Sequence, residues 1–324
     1  EEAESDEVLS LEFSSPIGAH AQLEPNGATA IVKDGKATVW LSTQVPAVTL
    51  NEVADRLGMD KDNVNIIPQY LGGGFGRRLH TPNAMQAAVM SQAVDGRPVK
   101  SFFDRKQEFQ NDTFRPPTHH VMRGRLDESG NIAALEHSFS SGDVAFNSAI
   151  FPAAARPVIG ADIGAIRGGM IMYRNIPNIK ATSWHVDLPF ATSWWRSLGL
   201  LANTFAIESF VDELAIKAER NAVDFRLAHL PDTEAGTRMA NVIKACTEKA
   251  GYSEAVTNGR AMGFAASVDA GSPCAHVVEV SVEDNEIKVH KVTVGFDCGI
   301  AVNPDQVKAQ VEGCVIMGIS ASMF

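Results

Sequence analysis

Leu71-Gly72-Gly73-Gly74-Phe75-Gly76-Arg77-Arg78 is the stretch from which the rest of the chain is read. Its four glycines adopt backbone angles closed to other residues and let a ligand come close to the main chain. Successive N–H groups in such a turn form a concavity that attracts anions. Phe75 places a large apolar ring inside that loop, and Arg77 and Arg78 follow it with fixed positive charge. The run Val64-Asn65-Ile66-Ile67 before the loop reads as a strand, and Asn83 to Ala93 after it reads as a helix. Strand, glycine loop and helix together are a common way to hold a phosphate. Neither G-x-G-x-x-G nor G-x-x-x-x-G-K-[ST] fits, which argues against a dinucleotide or P-loop site. Taken alone, the loop stands equally well as a tight turn at a close helix–strand contact.

Outward from the loop, strands and helices follow in mixed order. Val8–Phe13, Ala28–Lys33 and Ala37–Leu41 are short runs of alternating character, and Asp34-Gly35 between the last two is a hairpin signal. Leu50–Leu57 reads as a helix ended by Gly58, and Val99–Asp104 as a strand. Val121–Leu126 and Ile132–Phe139 read as a hairpin around 127–131. Residues 148–172, rich in Ala, Gly, Ile and Pro, read as a loop with a helix. Asn203–Glu219 carries Ile207, Phe210, Val211, Leu214 and Ala218 at helical spacing. Val223–Leu230 continues it after a break, and Arg238–Ala250 is a helix capped by Gly251. Val277–Val282 and Ile287–Gly295 pair across Asp284-Asn285, and Lys308–Ser322 is a helix of small residues. Without regular βαβ alternation, the pattern predicts an α+β fold of mixed short sheets with packed helices.

The 324 residues, 45% of them apolar, allow two to three domains with real cores. A formal charge of −11 and the lack of a basic stripe speak against nucleic acid as a partner. Cys246, Cys274, Cys298 and Cys314 show no C-x-x-C spacing for zinc or an iron–sulfur cluster, so buried free thiols are expected. No apolar run approaches the ~20 residues needed to span a bilayer. With no initiator Met at its start and no end signal after Ser322-Met323-Phe324, the chain reads as a piece of something longer.

Further motifs give the loop a context. Gln44, in Leu41-Ser42-Thr43-Gln44-Val45-Pro46, lies 31 residues upstream of Phe75, and Trp194-Trp195-Arg196-Ser197-Leu198-Gly199 lies far downstream. To these are added Ala19-His20-Ala21-Gln22-Leu23-Glu24-Pro25, the segment Phe205 to Ala215, and Asp297-Cys298-Gly299-Ile300-Ala301-Val302-Asn303-Pro304. In this order the set resembles the molybdenum-binding large subunit of the xanthine oxidase and aldehyde oxidoreductase family, nearest its isoquinoline 1-oxidoreductase-type branch. The resemblance implies a fragment of such a subunit: a first molybdopterin-contacting domain over 1–231 and the start of a second over 232–324. It implies a molybdopterin-type molybdenum cofactor whose metal is held by the cofactor's own dithiolene. That accounts for the lack of a His/Cys/Asp ligand cluster.

Carried over residue by residue, Gln44 hydrogen-bonds an oxygen of the molybdenum, Gly74, Phe75 and Gly76 (with Arg77 beside them) offer backbone amides, and Arg196 fixes the pterin. Trp195 and Leu198 stand where the family sandwiches flat substrates, or are simply core. Glu24 reads as a structural pairing partner rather than a base. The family's base lies in a Gly-x-Gly-Glu-type segment that these residues do not contain, and no catalytic residue is assigned. His20, His80 and the pair His119-His120 read as surface or core histidines, and Asp297, Asn303 and Gln310 as turn chemistry and helix docking.

Arg77-Arg78 in place of Gly-Lys fits the isoquinoline-type branch, whereas Leu200-Leu201-Ala202 departs from it, and a Gly-Gln-Gly loop is missing. The implied activity is oxidative hydroxylation of an aldehyde or small N-heterocycle, with the rest of the large subunit and an iron–sulfur subunit or domain on a separate chain as partners. The alternative is a non-catalytic subunit-interaction module. A bacterial periplasm and cytoplasm both remain open as the compartment.

Overall fold

The computed structural model describes residues 8–146, 150–151, 156–170 and 175–323. β1 (Leu9–Ser15) is followed by β2 (Gly27–Lys33), β3 (Lys36–Leu41), α1 (Pro46–Leu57), β4 (Val64–Pro68), α2 (Pro82–Ala93) and β5 (Val99–Phe102). Four of these strands form a sheet in the order β4-β3-β2-β5, in which only β3 and β4 run parallel. The β2–β3 turn is Asp34-Gly35, both residues left-handed (φ 52° and 73°), the twist a two-residue hairpin prefers. Alternation sends Ala28, Ala30, Val32, Ala37, Val39 and Leu41 to one face. There they meet Val53 and Ala54 of α1 and Ala84, Ala87 and Ala88 of α2. Alanines along α2 let it lie close on the sheet. Gly58 ends α1 in the left-handed region (φ 64°).

A short helix α3 (Arg105–Gln110) opens with a capping box between Asp104 and Gln107 and leads to β6 (Thr118–Leu126) and β7 (Ile132–Ser141). After α4 (Arg156–Ile159) come β8 (Asn178–His185), α5 (Leu200–Lys217) and α6 (Ala222–Ala228). The second sheet has the order β1-β6-β7-β8, with β8 parallel to β7. α5 lays Phe210, Val211 and Leu214 against it. Gly124 on β6 makes room, since a Cβ there would stand 2.8 Å from the Phe210 ring.

α7 (Glu234–Ala250), ended by left-handed Gly251, packs on an antiparallel meander of β9 (Arg260–Asp269), β10 (Ser272–Glu283) and β11 (Glu286–Phe296). Met239, Val242, Ile243 and Cys246 meet Ala275 and Val277, and this core is continuous with the one around α5. Buried Glu208 of α5 ties the two halves. It accepts from Arg226 Nε of α6 at 2.9 Å and from Ala266 N of β9 at 2.8 Å. α8 (Pro304–Met323) follows and buries none of its residues.

The α+β expectation holds, with three differences. β8 and β9 were not anticipated: β8 is an edge strand with mostly exposed side chains, and β9 is rich in small residues. Neither alternates clearly enough to be read from its sequence. Second, a 3-10 turn (Arg77–Leu79) and two further residues separate the glycine loop from α2, so the loop is not seated on that helix's N-terminus. Third, of the cysteines expected to be buried only Cys246 is, while Cys314 is exposed and all four are free. Part of 148–172 lies outside the described residues. In the rest of it, buried Asp162 accepts backbone N–H groups from Val144, Ala145, Phe146, Gly164 and Ala165, all within 3.2 Å.

Candidate functional site

The glycine loop leaves β4 at the open end of the first sheet, and its course is set by close approaches. Gly73 and Gly76 have φ of 90° and 109°, and Phe75 between them is also left-handed (φ 56°). A Cβ on Gly74 would stand 2.6 Å from Gln44 Oε1, and one on Gly76 would collide with the Trp194 carbonyl. The glycines are needed for space as much as for angles. Among the described residues, no acceptor meets the N–H groups of Gly73, Gly74 and Phe75. Three successive amide donors therefore remain for a ligand.

Gln44 faces this loop from the end of β3. Its Oε1 accepts from Gly76 N (3.1 Å) and Arg78 N (3.3 Å), which fixes the amide so that Nε2 is the atom left to donate outward. Arg196 reaches the same loop from the other side. Its backbone N–H donates to the Phe75 carbonyl at 2.8 Å, and its guanidinium lies 5.8 Å from the Phe75 ring centre. That guanidinium also donates to Gln310 of α8, at 2.9 Å to Oε1 and 3.1 Å to the carbonyl. The sequence reading of Gln310 as a docking residue fits this contact.

Arg77 and Arg78 do not present their charge to a ligand. Both are fully buried. Arg77 Nε donates to Glu108 Oε1 at 2.7 Å and lies 3.3 Å from Asp112 Oδ1. Arg78 Nη2 donates to Glu24 Oε2 at 2.8 Å and to the Glu24 carbonyl at 2.6 Å, and its Nε donates to the Gly73 carbonyl. The positive charge read from the sequence as part of an anion site instead clamps the loop from beneath. Arg77 contributes to the loop through its main chain, its N–H donating to the Gly74 carbonyl at 2.8 Å. Glu24, also bonded by Ser42 Oγ and Gly72 N, is a pairing partner as expected.

His20 pins the two loops together. Its Nε2 donates to the Trp194 carbonyl (2.6 Å) and its Nδ1 to Asp112 Oδ1 (2.7 Å). Burial alone would push the Asp112 carboxyl up. The His20 hydrogen bonds and the neighbouring Arg77 outweigh this and hold it below the usual carboxylate range. One residue earlier, the Ala19 carbonyl accepts Trp195 Nε1 at 3.0 Å. Trp195 is thereby a core residue, with the Arg115 guanidinium 5.2 Å from its ring centre. It offers no open face for a flat substrate. Ser197 and Leu198 (φ 79° and 57°) form the strained turn that leads into α5.

Gln44, Gly74, Phe75, Gly76 and Arg196 thus converge on one surface, with Arg77 beneath it. Sequence reasoning missed the supporting acids Glu108 and Asp112, which no motif marks. It also missed Gln22, fully buried beside Gly73 with neither its amide nitrogen nor its oxygen partnered. A bare amide edge, an outward amide donor and a buried orphan amide suit a large polar cofactor held by hydrogen bonds rather than by metal ligands. Among the described residues, no group of three His, Cys, Asp or Glu could hold a metal ion.

Comparison with known proteins agrees with this chemistry. The chain belongs to the molybdopterin cofactor-binding domain family, matching one domain over residues 1–230 and a second over 207–324. The beta subunit of isoquinoline 1-oxidoreductase from Brevundimonas diminuta is 30% identical over 98% of this chain and 41% of its own. A membrane-bound aldehyde dehydrogenase [pyrroloquinoline-quinone] of Gluconacetobacter polyoxogenes is 30% identical over 98% of this chain and 44% of its own. The chain therefore spans less than half the length of these relatives. Among solved structures, quinoline 2-oxidoreductase from Pseudomonas putida 86 superposes with a TM-score of 0.67 at 20% identity, over 85% of this chain and 36% of that one. The aldehyde oxidoreductase of Desulfovibrio gigas gives 0.61 at 20% identity, over 89% and 33%. These structures share the fold.

Proposed function

We propose that this chain supplies cofactor-contacting residues to a molybdenum hydroxylase acting on an aldehyde or an N-heterocycle. Bound, the molybdopterin cofactor would supply the two-electron oxidation of such a substrate. The observation that carries the reading is the fixed amide of Gln44: its Oε1 is held by Gly76 N and Arg78 N, which leaves Nε2 to donate, beside a loop whose Gly73, Gly74 and Phe75 N–H groups meet no acceptor among the described residues. Such preorganised donors stabilise negative charge on a bound group without reorganising. Arg196 would hold the pterin edge from the Phe75 side, and Arg77 would act through its main chain. The division near residue 231 belongs to the same proposal: α7 starts a helix-on-meander unit just after Pro231.

The names of the relatives support the substrate classes. Those named as subunits include the beta subunit above and one subunit of the nicotinate dehydrogenase of Pseudomonas putida, 28% identical over 98% of this chain and 28% of its own. An electron-accepting iron–sulfur partner on another chain is accordingly part of the proposal. No described helix is long and apolar enough to cross a membrane.

The test is the molybdenum and pterin content of the protein produced beside a working molybdenum-maturation pathway. Stoichiometric cofactor, lost in Gln44→Ala and Arg196→Ala while the fold is kept, is the expected result. A folded wild-type protein that never acquires pterin overturns it and moves the function to subunit interaction.

A further inference from the structure

The buried ring of His20 stands between two oxygen atoms. Nδ1 lies 2.7 Å from Asp112 Oδ1, and Nε2 lies 2.6 Å from the Trp194 carbonyl. Turning the ring over would bring C–H groups to the same oxygens at distances too short for them, so both contacts belong to nitrogen. A carbonyl oxygen has no proton to give, and Nε2 must therefore donate. Asp112 has none to spare either. Its Oδ2 accepts from the His20 backbone N–H at 2.9 Å, its Oδ1 accepts from Thr113 N at 2.8 Å, and Arg77 Nε lies 3.3 Å from Oδ1. Such a set of donors holds a carboxylate ionised, so Nδ1 must donate as well. A neutral imidazole carries one N–H and could meet only one of the two oxygens.

The balance of buried charge requires the same. Arg77, Glu108 and Asp112 are all buried, which sets two carboxylates against one guanidinium. Arg78 and Glu24 beside them form a pair of their own. His80, pushed down to about 4 chiefly by burial, adds no charge. Charge left uncompensated in such a place is costly, and a positive His20 makes up the difference. The two oxygens that His20 bridges also belong to the two halves of the site. Asp112 lies against Arg77, whose backbone N–H donates to the Gly74 carbonyl, and Trp194 stands two residues before Arg196.

We infer that His20 is a buried imidazolium and a positioning residue, whose second proton latches the Trp194–Arg196 segment onto the glycine loop. With only one proton the ring would release either the Trp194 carbonyl or Asp112, and the two halves of the site would lose their side-chain tie through His20. The latch does not depend on what the site binds. Its bearing on pterin, through the placing of Arg196 against Phe75, rests on the function proposed above.

Nitrogen NMR at pH 7 on protein carrying isotope-labelled histidine reads the ring directly. His20 is assigned from the signals that vanish in His20→Gln or, should that variant not fold, from those that move in Asp112→Asn. Both ring nitrogens of wild-type His20 should be protonated, and Asp112→Asn should return the ring to its neutral form. A nitrogen with a free lone pair in wild-type His20 would overturn the proposal. Hydrogen exchange reads the latch. In His20→Gln the Arg196 amide, which donates to the Phe75 carbonyl, should lose protection about tenfold, the usual effect of losing one hydrogen bond to a charged group. The Ala266 amide on β9, bonded to Glu208, should keep its protection. Equal protection of Arg196 in the variant and the wild type would likewise sink the idea. Neither readout needs the cofactor, so a wild type that holds no pterin counts against the proposed function alone. Where pterin is held, His20→Gln should release it faster.

Discussion

At the scale of single residues, the two arginines after the glycine loop show what a sequence motif leaves unsaid. Arg77-Arg78 beside bare amides invites the reading of a cationic anion site, yet both side chains are turned inward onto acids 31 and 54 residues away in sequence. Removing the charge of Glu108 should therefore damage the fold. Glu108→Gln leaves Arg77 buried with the Asn111 carbonyl and, as its remaining carboxylate, the more distant Asp112, and breaking one partner of a buried pair costs roughly 3 kcal/mol. Urea unfolding checks this: a midpoint unchanged from wild type would mean that Arg77 does not depend on that carboxylate.

Gly76 gives the complementary case. With φ at 109° and the Trp194 carbonyl where a Cβ would go, Gly76→Ala must move either its own loop or the Trp194–Arg196 segment. Backbone strain of this kind costs about 1–3 kcal/mol. Cofactor content, measured beside stability, should fall more steeply than for a substitution at exposed Gly35. The positions of Gln44, the loop and Arg196 were legible because each is a main-chain or short-range feature carried by an ordered motif. The identities of Glu108, Asp112 and His20 as their supports were not, since a long-range ion pair leaves no local pattern.

Among the elements, those with strong local codes were the ones readable in advance. The hairpin turns at Asp34-Gly35 and Asp284-Asn285 are both left-handed at both positions, and Gly58 and Gly251 cap their helices in the same region. β8 escaped notice because it is an edge strand, parallel to β7, whose side chains are mostly in solvent and carry no alternation. α5 shows the reverse: its helical spacing of apolar residues predicted a core face, and that face is buried on two sides. It links the second sheet to the α7 meander through one continuous cluster, so losing a side chain there weakens both. Phe210→Ala removes a fully buried ring seated over Gly124 and should cost about 3–5 kcal/mol. A single cooperative transition with a lowered midpoint is expected by circular dichroism and by tryptophan fluorescence alike. Two separated transitions would show that the halves unfold independently.

Over the whole molecule, buried histidines set how stability answers to acid. Burial, with the charge of Arg77 and His20 beside it, depresses His80 to about 4. Burial with the neighbouring His137 and His119 depresses His120 to about 3, and burial lowers His137, His229 and His276 as well. The hydrogen bonds agree with neutral rings. His137 Nδ1 donates to the Gly169 carbonyl, so its Nε2 accepts from His120 Nδ1 at 3.0 Å, and His120 Nε2 in turn accepts from Thr118 Oγ1. His229 Nε2 accepts from Ile132 N at 2.9 Å while its Nδ1 donates to the Phe225 carbonyl, which joins α6 to β7.

In the unfolded chain these rings take up protons near pH 6.5, and in the folded chain at lower pH, near 4 for His80 and near 3 for His120. Their contribution is therefore complete above about pH 6.5 and falls as acid is added, by about 1.4 kcal/mol per pH unit for each ring that stays neutral while its unfolded counterpart is charged. Asp297, held down to about 2 chiefly by its hydrogen bond from Arg238, extends the loss below the ordinary carboxylate range. Urea midpoints measured from pH 7 to pH 5 should fall steeply in the wild type. In His120→Asn, which removes one ring from the His120–His137 pair, the slope should be shallower by one proton's worth, even though stability at pH 7 is lower. Parallel slopes for the two proteins would mean that His120 already carries its proton in the fold, contrary to the donor–acceptor order of the Thr118–His120–His137–Gly169 chain.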